Sequence, residues 1–161
     1  MHDNERTIRD FYTAFQQRDA AAMVAHYHPE VRFSDPVFPD LRGERAAAMW
    51  RMLCERGADL AIEFRDVSAD DRRGAAHWDA RYTYSGTGRK VLNRIDAAFE
   101  FEGGKIVRHT DSFDLHRWAR QALGPVGLIL GWTPMVQNKI RRTAAAALDR
   151  FARSGSDAAA R

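Results

Sequence analysis

Between Gly88 and Asp114 the chain reads GRKVLNRIDAAFEFEGGKIVRHTDSFD, an alternation long enough to leave few folds open. Val91, Asn93, Ile95, Ala97, Phe99 and Phe101 fall on one side of an extended strand. Leu92, Arg94, Asp96, Ala98 and Glu100 fall on the other, because strand side chains change sides at every residue. Glu102-Gly103-Gly104 then turns the chain. A three-residue loop with a left-handed glycine pairs Phe101 with Lys105, Phe99 with Val107, Ala97 with His109, Ile95 with Asp111 and Asn93 with Phe113. That register keeps the apolar stripes together and turns His109 and Asp111 inward. A two-residue Gly-Gly turn would set Asp111 beside Asp96, so the longer loop is expected. Upstream, a Gly86-Thr87 turn sets His77 opposite Asp96, Asp79 opposite Arg94, Trp78 opposite Ile95 and Tyr82 opposite Val91. Complementary charges then share the outer face, and Asp96 reads as a solvated or ion-paired sheet residue.

The rest of the chain supplies cover for this sheet. Ile8, Phe11, Tyr12 and Phe15 recur at helical spacing over residues 3–17. Asp19 can cap a second, short helix carrying Met23, Val24 and Tyr27, which His28-Pro29-Glu30 ends. Val31, Phe33 and Asp35 alternate in a short strand stopped by Pro36, and Gly43 opens a third helix with Met49, Trp50, Leu53 and Cys54 on its stripe. Leu60, Ile62 and Phe64 alternate again. Asp114 can cap a helix over 115–123, and Thr133-Pro134 starts a last helix bearing Val136, Ile140, Ala144, Leu148 and Phe151 on one side. Helices followed by a run of strands predict an α+β fold: a curved antiparallel sheet wrapped on N-terminal helices, with an extra C-terminal helix. Residues 1–123 are expected to form the domain, 124–153 a helical extension of it and 154–161 a disordered tail.

Charge and cysteine content narrow the function. Of 25 basic and 22 acidic side chains, six and two lie from Pro134 on, leaving 19 against 20 in the body, which argues against a broad nucleic-acid surface. The single Cys54 cannot form an internal disulfide or a cysteine-built metal site, and its place on an apolar stripe reads as core filling. The polar N-terminus lacks a signal peptide's apolar run, and Val126 to Trp132 is too short to span a bilayer, so the cytoplasm is the expected location and no stable membrane insertion is expected. Lys139, Arg141, Arg142 and Arg150 read as a solvated face. A membrane-surface role would need apolar residues beyond those used in packing. The apolar stretch GPVGLILGW and the last helix must be buried somewhere, over the pocket or against another subunit, and a homodimer is expected.

Several segments, in this order and spacing, resemble the nuclear transport factor 2 superfamily, in particular its SnoaL-like and ketosteroid-isomerase-like branches. They are FYTAFQQRD at Phe11 to Asp19, VRFSDPV at Val31 to Val37, Gly43 with its helix, and GKIVRHTDSFDL. The resemblance runs from about Ile8 to His116 and implies a cone-shaped, cystatin-like fold around a pocket. It implies a general base at Asp35, in the position of the isomerases' D-P-V aspartate. The isomerases' oxyanion-hole tyrosine falls on Phe11, with Tyr12 one residue out of phase. Ile95-Asp96 resembles their second aspartate in sequence, although the strand register turns it outward. His109-Thr110-Asp111 resembles the H-W-D of SnoaL-type polyketide cyclases, whose aspartate handles the proton transfer. Limonene epoxide hydrolase shares the last-strand aspartate, but its other catalytic positions fall on Trp78, Ala80, Phe33 and Asp35, so epoxide opening has less support.

Two carboxylates and an imidazole converging in an aromatic hollow can move protons, since desolvation and mutual repulsion bring a carboxyl pKa toward neutrality. Asp111 is the expected acid or base, Asp35 its partner or an alternative base, and His109 a hydrogen-bonding orienter. Phe11, Phe15, Tyr27, Phe33, Trp50, Trp78, Tyr82, Phe99 and Phe113 are expected to enclose the substrate. The competing expectation for Asp35 is a turn former before proline, and for His109 a satisfied core histidine. Two functions stay open. One is a small acid/base enzyme, an isomerase, aldol-type cyclase or relative, acting on a small apolar molecule with no cofactor and no metal. The other is a non-catalytic ligand-binding or dimerising module on the same fold.

Overall fold

The computed structural model describes residues 1–159. Helix α1 (Asp3–Gln16) turns Ile8, Phe11, Tyr12 and Phe15 inward and starts at His2, whose ring accepts from the Asn4 amide. Asp19 caps α2 (Ala20–Val24) as expected, by accepting from the Ala22 amide. The chain then enters strand β1 (Tyr27–Ser34) four residues before Val31, where the strand was expected to begin. Tyr27 is therefore a strand residue, held by pairing with Ile106 on the far side of the sequence. Short β2 (Leu41–Arg42) leads into α3 (Glu44–Arg56), and β3 (Ala61–Ala69), β4 (Arg73–Tyr84), β5 (Arg89–Glu102) and β6 (Lys105–Ser112) follow. Helices α4 (Leu115–Leu123), α5 (Pro125–Leu130) and α6 (Pro134–Ala159) complete the fold. The tail expected over 154–161 thus overlaps α6 as far as Ala159, and residues 160 and 161 lie outside the described residues.

The six strands make one curved, unclosed sheet in the order β2-β1-β6-β5-β4-β3. Every pairing is antiparallel except β1 with β6, which is parallel and brings the Asp35 end of β1 alongside the Asp111 end of β6. Helices α1 and α3 fill the concave side, and Phe11, Tyr12, Phe15, Trp50, Trp78 and Phe99 are buried there together. Helix α6 returns along α3, with Leu148 in the core and Arg45 paired to Asp149 at 2.9 Å.

The β4–β5 register is the expected one: His77 faces Asp96, Asp79 faces Arg94, Trp78 faces Ile95 and Tyr82 faces Val91. The β5–β6 register is not. Glu102 pairs with Lys105 across a two-residue Gly103-Gly104 turn, both glycines at positive φ, the geometry a tight hairpin of this hand requires. Val107 is then skipped as a bulge, after which Phe99 pairs with His109 and Ala97 with Asp111. The extra residue shifts the ladder by one and restores the side-chain phase. His109 and Asp111 point inward as expected, while Asp96 faces Ser112 instead of a like charge. The short turn, expected to be excluded by charge opposition, is thus made compatible by one bulged residue.

Candidate active site

Inside the curve of the sheet lies a cavity of about 300 Å³. Phe15, Phe33, Trp50, Trp78, Tyr82 and Phe113 line it, and exposed Arg56 and Ser85 lie at its mouth. Asp35 and Asp111 both contribute to the lining. Phe11, Tyr27, Phe99 and His109 do not. They were expected on the ligand's side, but α1 covers the closed end of the sheet, so they form the solid core behind the cavity wall.

Beyond the Val107 bulge the strand turns His109 and Asp111 inward, which sets His109 among aromatic rings. Phe99 lies 4.4 Å away between ring centroids, Phe33 5.0 Å, Phe11 5.6 Å and Trp50 5.9 Å. A buried imidazole needs partners for both nitrogens. Here Nδ1 lies 2.8 Å from the Tyr27 hydroxyl, and Nε2 lies 2.9 Å from Asp111 Oδ1. The Trp50 indole N–H donates to the Tyr27 oxygen at 2.8 Å, so the Tyr27 hydrogen is directed at Nδ1, its one acceptor among these groups. Nε2 therefore carries the hydrogen that His109 donates to Asp111. Trp78 adds a weaker donor to the same carboxylate oxygen at 3.4 Å. The second oxygen, Oδ2, makes no hydrogen bond to the described residues and is left to the cavity.

Asp35 enters from the end of β1. Its Oδ1 accepts from the backbone N–H groups of Val37 at 2.7 Å and Phe38 at 2.6 Å, while its own N–H donates to the Phe38 carbonyl at 2.9 Å. This is the turn geometry that Asp-Pro favours. Burial nevertheless pushes its carboxyl up to about 7, with the Asp111 charge acting in the same direction and the two backbone donors opposing it. Asp35 thus shapes the turn and also presents a titratable group to the cavity. Tyr82 accepts from the Trp118 indole at 2.6 Å, which leaves its own hydrogen available. Its hydroxyl is pushed up to about 12, mainly by burial and partly by the Asp35 charge. The Tyr12 hydroxyl is buried with no partner among the described residues and lies off the cavity.

Three contributions were not foreseen. Asn93 places an amide on the cavity wall, and its only signal was a polar residue in the apolar stripe of β5. Phe38 and Trp118 also line the space, and they come from a loop and a helix that strand periodicity does not reach. On the outer face, Asp96 is paired with His77 at 2.8 Å and takes no part in the cavity, as its register predicted. Among the described residues no group of three or more His, Cys, Asp or Glu side chains converges as metal ligands do.

Residues 8–109 match the family model of the SnoaL-like domain. Among solved structures, the fold is shared with a nuclear transport factor 2-like protein of unknown function from Burkholderia pseudomallei, at 22% identity and a TM-score of 0.65, covering 75% of this chain and 98% of that one. A protein provisionally named a polyketide cyclase from Xanthomonas campestris pv. campestris gives 23% identity, a TM-score of 0.62 and coverage of 74% and 96%. An LEH-like epoxide hydrolase from M. tuberculosis gives 20% identity, a TM-score of 0.60 and coverage of 80% and 96%. No curated protein matches the chain in sequence.

Proposed function

The chain belongs to the SnoaL-like domain family, and on that premise we propose that it is an acid/base enzyme acting on a small, largely apolar carbonyl compound in the cavity, without a cofactor. The observation that carries this reading is the pair of aspartates lining one cavity: Asp111 held from behind by His109, which is itself bonded to Tyr27, and Asp35 poised near neutrality. Asp111 Oδ2 takes a proton from the carbon beside the carbonyl, and the electron pair moves into the carbonyl oxygen. Tyr82 O–H and protonated Asp35 donate to the oxygen as its charge grows. Return of the proton to a different carbon gives an isomer, whereas attack of the enolate on a second carbonyl of the same molecule gives a ring. His109 positions the Asp111 carboxylate without touching substrate.

A non-catalytic ligand-binding module is the second reading, and two observations favour it: Asp111 is engaged in an internal pair with His109, and Asp35 already serves a turn. The discriminating experiment compares the parent with Asp111→Asn and Asp35→Asn on a panel of enolisable ketones, following solvent deuterium exchange at carbon, alongside affinity for a ligand retained from the native host. Loss of exchange with retained affinity supports the enzyme. Exchange equal to the parent in both variants sinks the proton-transfer assignment, and retained binding with no exchange in any form leaves the module.

A further inference from the structure

Helix α5 is built the wrong way round for a helix that packs onto its own domain. Its inner face is glycine: a Cβ on Gly127 would sit 1.9 Å from the Ala119 carbonyl oxygen, and one on Gly131 would sit 2.9 Å from the Ala119 side chain. The glycines let α5 lie flush on α4, clamped by His116 Nε2 against the Leu128 carbonyl at 3.2 Å. With the inner face used up by backbone, the large apolar side chains point out. Val126, Leu128, Ile129, Leu130, Trp132 and Met135 are, apart from Met1, all the large hydrophobic residues that stand exposed among those described. Ile129 is 66% and Trp132 64% exposed, and the Trp132 indole N–H is tied to the Ile129 carbonyl at 3.0 Å, which fixes the ring on the patch.

The segments that carry and flank this patch in sequence hold charge of one sign. From Leu115 to Leu148 there is no Asp or Glu, while Arg117, Arg120, Lys139, Arg141 and Arg142 fall in the same span. Arg141 folds back onto the Pro36 carbonyl at 2.8 Å, and the other four make no salt bridge to the described residues. A second copy meeting this face about a two-fold axis would set these cations against their own images. An anionic surface with an apolar interior meets both demands. No described helix is long and apolar enough to cross a membrane, so the element can lie on a bilayer but not span it.

We infer that α5 and the start of α6 form a docking surface for an anionic lipid bilayer, with Ile129 and Trp132 entering the headgroup boundary and the flanking cations holding the lipid phosphates. This supplies the apolar residues beyond packing that the sequence reading required, and it revises the solvated-face reading of Lys139 and Arg142.

The test is flotation of the full chain with vesicles of phosphatidylcholine alone and with added phosphatidylglycerol, at low and raised salt. Binding is expected on the anionic vesicles, at least about tenfold above the neutral ones, falling with salt. Ile129→Asp with Trp132→Asp should abolish it without moving the melting temperature. Neutralising Lys139 and Arg142 should weaken it by about fivefold each. No flotation on anionic vesicles overturns the inference, as does equal flotation on both kinds. So does a concentration-dependent dimer in sedimentation equilibrium that Ile129→Asp dissolves, which would assign the patch to a second copy.

Discussion

The sheet carries two aspartate–histidine pairs of nearly the same geometry on opposite faces. Outside, His77 Nδ1 lies 2.8 Å from Asp96 Oδ1, and the carboxylate side chain is 84% exposed. Inside, His109 Nε2 lies 2.9 Å from Asp111 Oδ1, with that side chain 3% exposed. The outer ring also reaches Asp79 at 3.0 Å, which in turn meets Arg65 at 3.1 Å; the inner one reaches a tyrosine held by a tryptophan. Donor and acceptor separations do not distinguish the pairs. Surroundings do: water competes for and screens the outer contact, whereas the inner one works in an aromatic box where a lost partner cannot be replaced. A difference of solvent, set by strand phase alone, separates a surface ion pair from a candidate proton-transfer group.

The hardest test of that contrast is activity. Asp111→Asn should reduce kcat for proton exchange by about 10²–10⁴, the usual worth of a positioned acid or base, while Asp96→Asn leaves it unchanged. Equal losses would mean the faces are functionally equivalent. Stability should separate the pairs next. His109→Ala leaves the Asp111 carboxylate buried without its main donor and is expected to cost about 3–5 kcal/mol in urea unfolding, against under about 1 kcal/mol for His77→Ala. A His77 variant as damaging as the His109 one would break the comparison.

How much of this contrast was legible in the sequence follows from what each signal measures. Alternation fixes side-chain phase, so the outward Asp96 could be read from Val91 through Phe101, whereas the inward Asp111 was reached through the assumed turn. Turn length is different. Counting from a presumed three-residue loop gave wrong partners for every β6 residue, because a Gly-Gly turn and a bulge at Val107 together preserve phase while changing register. Phase survives such a compensated change; register does not. Depth was equally hidden. Phe15 and Phe11 lie on one helical stripe, yet only Phe15 reaches the cavity, since the boundary between core and hollow depends on where α1 crosses the sheet. Likewise helical spacing reaches Tyr27 from the residues before it, whereas its bond to His109 depends on parallel pairing between segments about eighty residues apart.

The inner face should also reveal itself through pH. Burial raises the folded-state Asp35 carboxyl from 3.8 to about 7. Between those values the folded protein keeps a proton that the unfolded chain releases, so the stability present below about pH 4 is lost as pH rises toward and through 7. Asp35→Asn removes that titration and keeps an oxygen for the Val37 and Phe38 amides. Its stability relative to the parent should therefore improve by roughly 2–4 kcal/mol from about pH 4 to about pH 8. The parent's proton-exchange rate should fall over the upper part of that range if Asp35 acts as the acid. A stability difference that stays flat with pH would show that water reaches Asp35 freely.

The smallest effect probes the third member of each array. Tyr27→Phe keeps the ring that stacks on Phe11 but deletes the oxygen between Trp50 and His109. A buried indole N–H and an imidazole nitrogen then lose their partner, at a cost of about 2 kcal/mol. More telling is the kinetic split. Without the tyrosine hydrogen on Nδ1, the histidine is free to carry its own hydrogen there and to present a lone pair to Asp111, which leaves the carboxylate poorly held. The expectation is a fall of about tenfold in kcat with KM unchanged, since no cavity-lining atom has been removed. The matching change outside, Asp79→Asn, removes a charge from His77 and Arg65 on the face away from the cavity, and kcat should not move. If Tyr27→Phe lowers stability but leaves kcat intact, His109 is structural filling behind the wall, and Asp111 acts without the support assigned to it.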